Sequence, residues 1–136
     1  KGIYVESERF DSFRKRQSEE EINNSINIQN QQRPLSEFKK ISIIKGDAVK
    51  TIPDFIENNE HIVVALLHLD FDIYKPSKVA LENFLPRMPK GSVIALDGTN
   101  APEGPGEAIA LLESININNA KIKRNIFDSF LCYLEI

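Results

Sequence analysis

Apolar residues are scattered as far as about position 38 and gather into short regular blocks beyond it. The longest block, Ile62-Val63-Val64-Ala65-Leu66-Leu67, runs into His68-Leu69-Asp70-Phe71-Asp72-Ile73-Tyr74 and stops at Lys75-Pro76. A continuous run of this kind predicts a strand buried on both faces, as in the parallel sheets of α/β proteins. Ser92-Val93-Ile94-Ala95-Leu96-Asp97 repeats the pattern, and Ile41-Ser42-Ile43-Ile44 predicts a shorter strand ending in a turn at Gly46-Asp47. Helices are expected between these strands. Thr51-Ile52-Pro53 opens one, with Thr51 as its cap. Pro76-Ser77-Lys78 opens a second, whose apolar stripe is Val79, Leu81, Phe84 and Leu85. A third follows Glu103-Gly104-Pro105-Gly106-Glu107, with Ile109, Leu111, Leu112 and Ile115 as its apolar positions. Two closing strands, Lys121 to Phe127 and Phe130 to Ile136, are separated by a tight turn at Asp128-Ser129. The order β-α-β-α-β-α-β-β predicts an α/β fold. Its sheet is Rossmann-like, doubly wound and mostly parallel, with a C-terminal antiparallel hairpin.

Residues 1 to 38 stand apart as a polar segment, rich in Glu, Gln, Asn, Arg and Ser. Phe10, Phe13, Ile22 and Ile26 have helix-like spacings, so a helix from about Ser7 to Ile22 is expected, with Asn23 to Arg33 as loop. Such a segment reads as a solvated surface or as a lid over a site. Residues 39 to 136 carry the α/β pattern.

Composition narrows the field only modestly. The 136 residues suffice for one domain with a modest core, and the apolar (41%) and charged (27%) fractions are ordinary for a soluble protein. A net charge of -3 points to neither nucleic acid nor an anionic membrane as partner. No apolar run is long enough to span a bilayer, and no apolar leader core follows Lys1-Gly2-Ile3-Tyr4. The single cysteine, Cys132, lies in an apolar run and reads as a packing residue. One cysteine excludes a disulfide framework and makes a cytoplasmic setting the expectation.

The candidate chemistry is carboxylate chemistry. Open α/β sheets bind ligands at the carboxyl ends of their strands. Asp70 and Asp97 each end an apolar strand, so neighbouring parallel strands would bring them to one rim. Asp72 alternates with Asp70 and shares its face only while the chain stays extended; otherwise it supports the loop. Tyr74 either lines a pocket or packs against a helix. His68 reads as a core histidine, His61 as structural, and Lys75, Lys78 and Lys90 as solvated charges.

The blocks Lys45-Gly46-Asp47-Ala48, Leu69-Asp70-Phe71-Asp72-Ile73-Tyr74, Leu85-Pro86-Arg87-Met88-Pro89-Lys90-Gly91 and Leu96-Asp97, followed by the closing hairpin, resemble the macrocin O-methyltransferase (TylF-like) family. These are class I S-adenosylmethionine-dependent methyltransferases, and the match covers roughly residues 41 to 136. The resemblance implies transfer of a methyl group to a hydroxyl of a small molecule such as a deoxysugar or natural product, typically with a divalent metal such as Mg. It places Asp47 where the family contacts the cofactor's adenine amino group, with Ala48 and Phe71 beside the cofactor. Asp70 falls at the first acidic metal ligand, near the proton to be removed, and Asp97 at the second. Glu107 resembles an element found in part of the family and receives no role. Gly98 departs from the pattern, because the family usually places a further Asp, Asn or Glu there; Asn100, two residues on, is the candidate replacement. The Gly-rich cofactor loop has no counterpart, nor does the acidic end of the family's second strand. The chain is therefore expected to begin mid-fold, as a fragment whose strand 41–45 has lost its neighbour. That strand would pair with strand 62–69 or with another copy, and self-association is expected.

Two other readings follow from the same residues. Asp70-Phe71-Asp72-Ile73-Tyr74 and Asp97-Gly98-Thr99 resemble the two aspartate motifs of haloacid-dehalogenase-like phosphatases. Here Tyr74 stands where Thr or Val belongs, and Ala95 where that family's second motif has its first Asp. The third reading is a non-catalytic fragment or assembly module.

Overall fold

The computed structural model describes residues 2–6, 19–99, 104–128 and 130–136. They form two units, Lys1–Gly46 and Asp47–Ile136.

In the first unit, β1 (Gly2–Glu6) and β2 (Ile41–Lys45) pair in parallel, in register from Gly2 with Ile41 to Glu6 with Lys45. Between them lies α1 (Glu19–Gln31). Strand 41–45 thus has a neighbour within the chain, contrary to expectation. Five residues at the start were too few for their alternation to register as a strand; the pairing with β2 is what defines it. The stretch read as loop, Asn23 to Arg33, is mostly helix. Ile22, Ile26 and Asn30 recur at four-residue intervals and are its half-buried positions, with half-buried Arg33 just past its end. The asparagines obscured this spacing, being poor helix formers. Glu20 and Glu21, in the first turn, sit near the positive end of the helix dipole and favour that start. Residues 7–18 of the expected earlier helix lie outside the described residues.

The second unit carries the core. Its sheet has the order β3-β4-β6-β5, with β3 (Leu66–Leu69), β4 (Val93–Leu96), β5 (Ile122–Arg124) and β6 (Cys132–Glu135). β3 and β4 are parallel. β6 lies antiparallel between β4 and its hairpin partner β5, which gives the antiparallel hairpin ending that was expected. The helices are α2 (Ala48–Glu57), α3 (Tyr74–Phe84) and α4 (Gly106–Ser114). Leu67 and Leu69, Ile94 and Leu96, and Cys132 and Leu134 are the buried alternate positions of three adjacent strands. They share a core with Ala48 and Ile52 of α2, Ala80, Leu81 and Phe84 of α3, and Ala110 and Leu111 of α4.

Several expectations give way here. β3 is buried on one face only: Leu66 is 62% exposed and His68, expected in the core, is exposed. The irregular stretch before β3, where Val63 is 72% exposed, is not strand. Thr51 is inside α2 rather than capping it. Asp47 is the cap, its Oδ1 accepting the Val49 N–H at 3.0 Å, so Pro53 falls mid-helix and leaves the Val49 carbonyl without its helical donor. In α4 the buried side is Gly106, Glu107, Ala110 and Leu111, while Ile109 and Leu112 are 43% and 55% exposed. The closing hairpin is wider than a two-residue turn. The Asn125 N–H donates to Leu131 O, and the side chains of Asn125 and Asp128 accept from the loop's own N–H groups. Such local side-chain bonds compete with the strand ladder and stop it early.

Candidate functional site

β3 and β4 are in register from Leu66 with Val93 to Leu69 with Leu96. Asp70 and Asp97 are the next residue of each, and the Asp97 N–H donates to Leu69 O at 3.1 Å, which carries the ladder one step past the strands. The two acids therefore stand side by side at the carboxyl rim, Asp70 exposed and Asp97 half-buried.

Beyond Asp70 the backbone turns sharply. Asp72 has φ +57, in the left-handed region that a non-glycine residue adopts only with local support. The extended alternation ends there, so Asp72 does not share a strand face with Asp70. Its Oδ1 lies 3.1 Å from where a Cβ on Gly98 would sit, and its Cβ 3.0 Å from the equivalent point on Gly104. Its carbonyl accepts the Gly106 N–H at 3.2 Å. Gly98 thus has a steric reason: any side chain there begins against the Asp72 carboxylate. A side chain at 98 would require the Asp72 carboxylate to give way by a few tenths of an ångström.

Glu107, in the first turn of α4, is fully buried. Its Oε1 accepts the N–H groups of Phe71 (2.5 Å) and Asp72 (3.0 Å), and its Oε2 accepts the Gly98 N–H (3.3 Å). One carboxylate so joins the loop after β3 to the loop after β4. Burial holds its pKa above the usual carboxylate range; the Phe71 and Gly98 amides oppose that, and the nearby Asp70 and Asp97 charges add to it. Sequence spacing assigned Glu107 no role, because its partners lie up to 36 positions away.

The other expected residues sort as follows. Asp47 is exposed and engaged as the α2 cap; a carboxylate has further acceptor capacity beyond one bond. Ala48 is wholly buried, and Phe71 is buried with its N–H taken by Glu107. Asn100 lies outside the described residues. Tyr74 is half-exposed and donates to Glu113 Oε2 at 2.6 Å, tying α3 to α4. Lys78, expected to be a solvated charge, makes the same link: its Nζ reaches Ser114 Oγ at 3.2 Å and Glu113 Oε2 at 3.5 Å. Among the described residues no three His, Cys, Asp or Glu side chains gather as a metal-binding group. Two carboxylates are nonetheless hard oxygen donors of the kind magnesium takes, and magnesium keeps several waters. No described helix is long and apolar enough to cross a membrane.

The mixed α/β sheet with its antiparallel last strand is a fold found among methyltransferases. Comparison with solved structures agrees. The chain superposes on the apo structure of CalS11, a TDP-rhamnose 3'-O-methyltransferase of calicheamicin biosynthesis, with a TM-score of 0.78 and 26% identity. The match covers 84% of this chain and 49% of CalS11. A second CalS11 structure matches equally, with 45% of that chain covered. The O-methyltransferase NovP shares the fold, with a TM-score of 0.62, 21% identity, and coverage of 87% of this chain and 44% of its own. The chain thus spans about half the length of the solved enzymes it matches. No protein-family model matches the sequence, and no curated protein matches it.

Proposed function

We propose that the chain is part of an S-adenosylmethionine-dependent O-methyltransferase acting on a hydroxyl of a small molecule such as a sugar or natural product, with Asp70 and Asp97 as its reactive rim. The observation that carries this reading is the side-by-side placement of those two acids on β3 and β4, in a fold shared with a sugar O-methyltransferase. The resemblance of the quoted motifs to the macrocin O-methyltransferase family supports the same class.

When bound, the cofactor supplies an electrophilic methyl group, and a divalent cation such as Mg supplies a Lewis acid that eases loss of the acceptor's proton. Asp70 and Asp97 would hold the cation. Asp70, the more exposed of the two, takes the hydroxyl proton as the acceptor oxygen gains its methyl. Asp97, held by its ladder bond to Leu69, orients the acceptor from the neighbouring strand. Asp47 fits the cofactor's adenine end, since its carboxylate can accept an amino N–H while capping α2. Ala48 and Phe71 contribute there through backbone and packing rather than by exposed side chains.

The test is methyl transfer by the full-length protein to nucleotide-linked deoxysugars, comparing Asp70→Asn and Asp97→Asn with wild type. Each change is expected to lower kcat, Asp70→Asn by about a hundredfold or more, the lower end of the range for a lost acid–base group. Turnover unaffected by Asp70→Asn would overturn the assignment.

A further inference from the structure

Glu107 is an expensive way to fill its volume. A buried carboxylate loses its hydration, and an apolar side chain of similar size is often as good or better for stability. What an apolar residue cannot do is accept hydrogen bonds from two loops at once. Glu107 accepts three, two from the loop after β3 and one from the loop after β4. The donors are the residues directly following the acid pair: Phe71 and Asp72 after Asp70, Gly98 after Asp97.

We propose that Glu107 is the positioning residue of the acid pair, fixing the Asp70 and Asp97 loops relative to one another without touching the acceptor. This rests on the methyltransferase reading for its purpose, though not for its geometry. Outer partners that orient a metal-binding carboxylate are commonly worth ten- to a hundredfold in affinity or activity. Glu107 acts on both carboxylates through their backbone.

The experiment compares full-length wild type with Glu107→Gln, by backbone amide hydrogen exchange and by Mn2+ titration. Gln preserves the shape and can still accept on one side, but its amide NH2 then faces a backbone N–H. In wild type the Phe71, Asp72 and Gly98 amides are expected to be protected. In the variant at least one side is freed, exchanging about tenfold or more faster, and Mn2+ affinity falls about tenfold. Glu113→Gln, on the surface of the same helix, is expected to change neither. Unprotected amides in wild type would overturn the proposal without reference to any variant, which also covers a Glu107→Gln protein that fails to fold. So would unchanged exchange and Mn2+ affinity in a folded variant. If wild type binds no Mn2+, the metal-assisted reading falls instead, and amide exchange alone decides the role of Glu107.

Discussion

Gly106→Ala inverts an ordinary expectation. In a helix, alanine is normally about 1 kcal/mol better than glycine. At the start of α4, however, a Cβ on residue 106 would lie 2.2 Å from Tyr74 N, 2.4 Å from Ile73 C and 2.7 Å from Ile73 Cα. All three atoms are backbone, so no side chain can turn aside. The first turn of α4 must withdraw from the first turn of α3 by roughly 1 Å to reach ordinary contact, an overpacking that typically costs about 1–3 kcal/mol. Withdrawal also stretches the Gly106 N–H bond to Asp72 O, now 3.2 Å, at a further cost of about 1 kcal/mol. After the propensity gain, a net loss of about 1–3 kcal/mol remains. In a unit of this size that lowers the melting temperature by roughly 5–20 °C, at about 4–8 °C per kcal/mol. Thermal and urea unfolding measure it directly. A variant as stable as wild type, or more so, would refute the close approach of α3 and α4 on which the placement of Glu107 depends.

Two further tests probe the packing and the surface links. Leu69→Ala, at a position 1% exposed, is expected to lose about 2–5 kcal/mol in denaturant titration. Leu66→Ala on the opposite face of β3 is expected to stay within about 0.5 kcal/mol; equal losses would mean that both faces are buried after all. Tyr74→Phe removes the hydroxyl donated to Glu113. That bond holds the Glu113 pKa below its usual range and the Tyr74 pKa above its own. The Glu113 contribution is present above its unfolded pKa and is lost as pH falls through the lowered folded value. The Tyr74 contribution is present below its unfolded pKa and is lost as pH rises through the raised one. Wild type should therefore exceed Tyr74→Phe across the neutral range, and the two unfolding midpoints should converge at both pH extremes. A gap independent of pH would sink the coupling.

The rim acids were legible because they follow apolar runs directly: Leu69-Asp70 and Leu96-Asp97 each mark a strand end by a local change of polarity. The parallel β3–β4 pair and the antiparallel ending were legible for the same reason, since element order constrains sheet order. Periodicity was less reliable at faces. Leu66 and Val63 are as apolar as Leu67 and Leu69, so composition could not tell a strand buried on one face from one buried on both. Strand β1, five residues long, exists through its pairing with β2, and α1 is written largely in asparagine and glutamine that mask its spacing.

By itself the sequence determined where carboxylates meet the ends of strands, because that depends only on neighbours along the chain. The tertiary structure decided how those carboxylates are held. Gly98 is a missing ligand in sequence and a close neighbour of the Asp72 carboxylate in space, because Asp72 turns through the left-handed region toward the room a side chain would take. Glu107 is one acid among many in sequence and the joint between two loops in space. Both facts depend on contacts between residues far apart in the chain, and only packing α4 against the start of α3 brings those residues together.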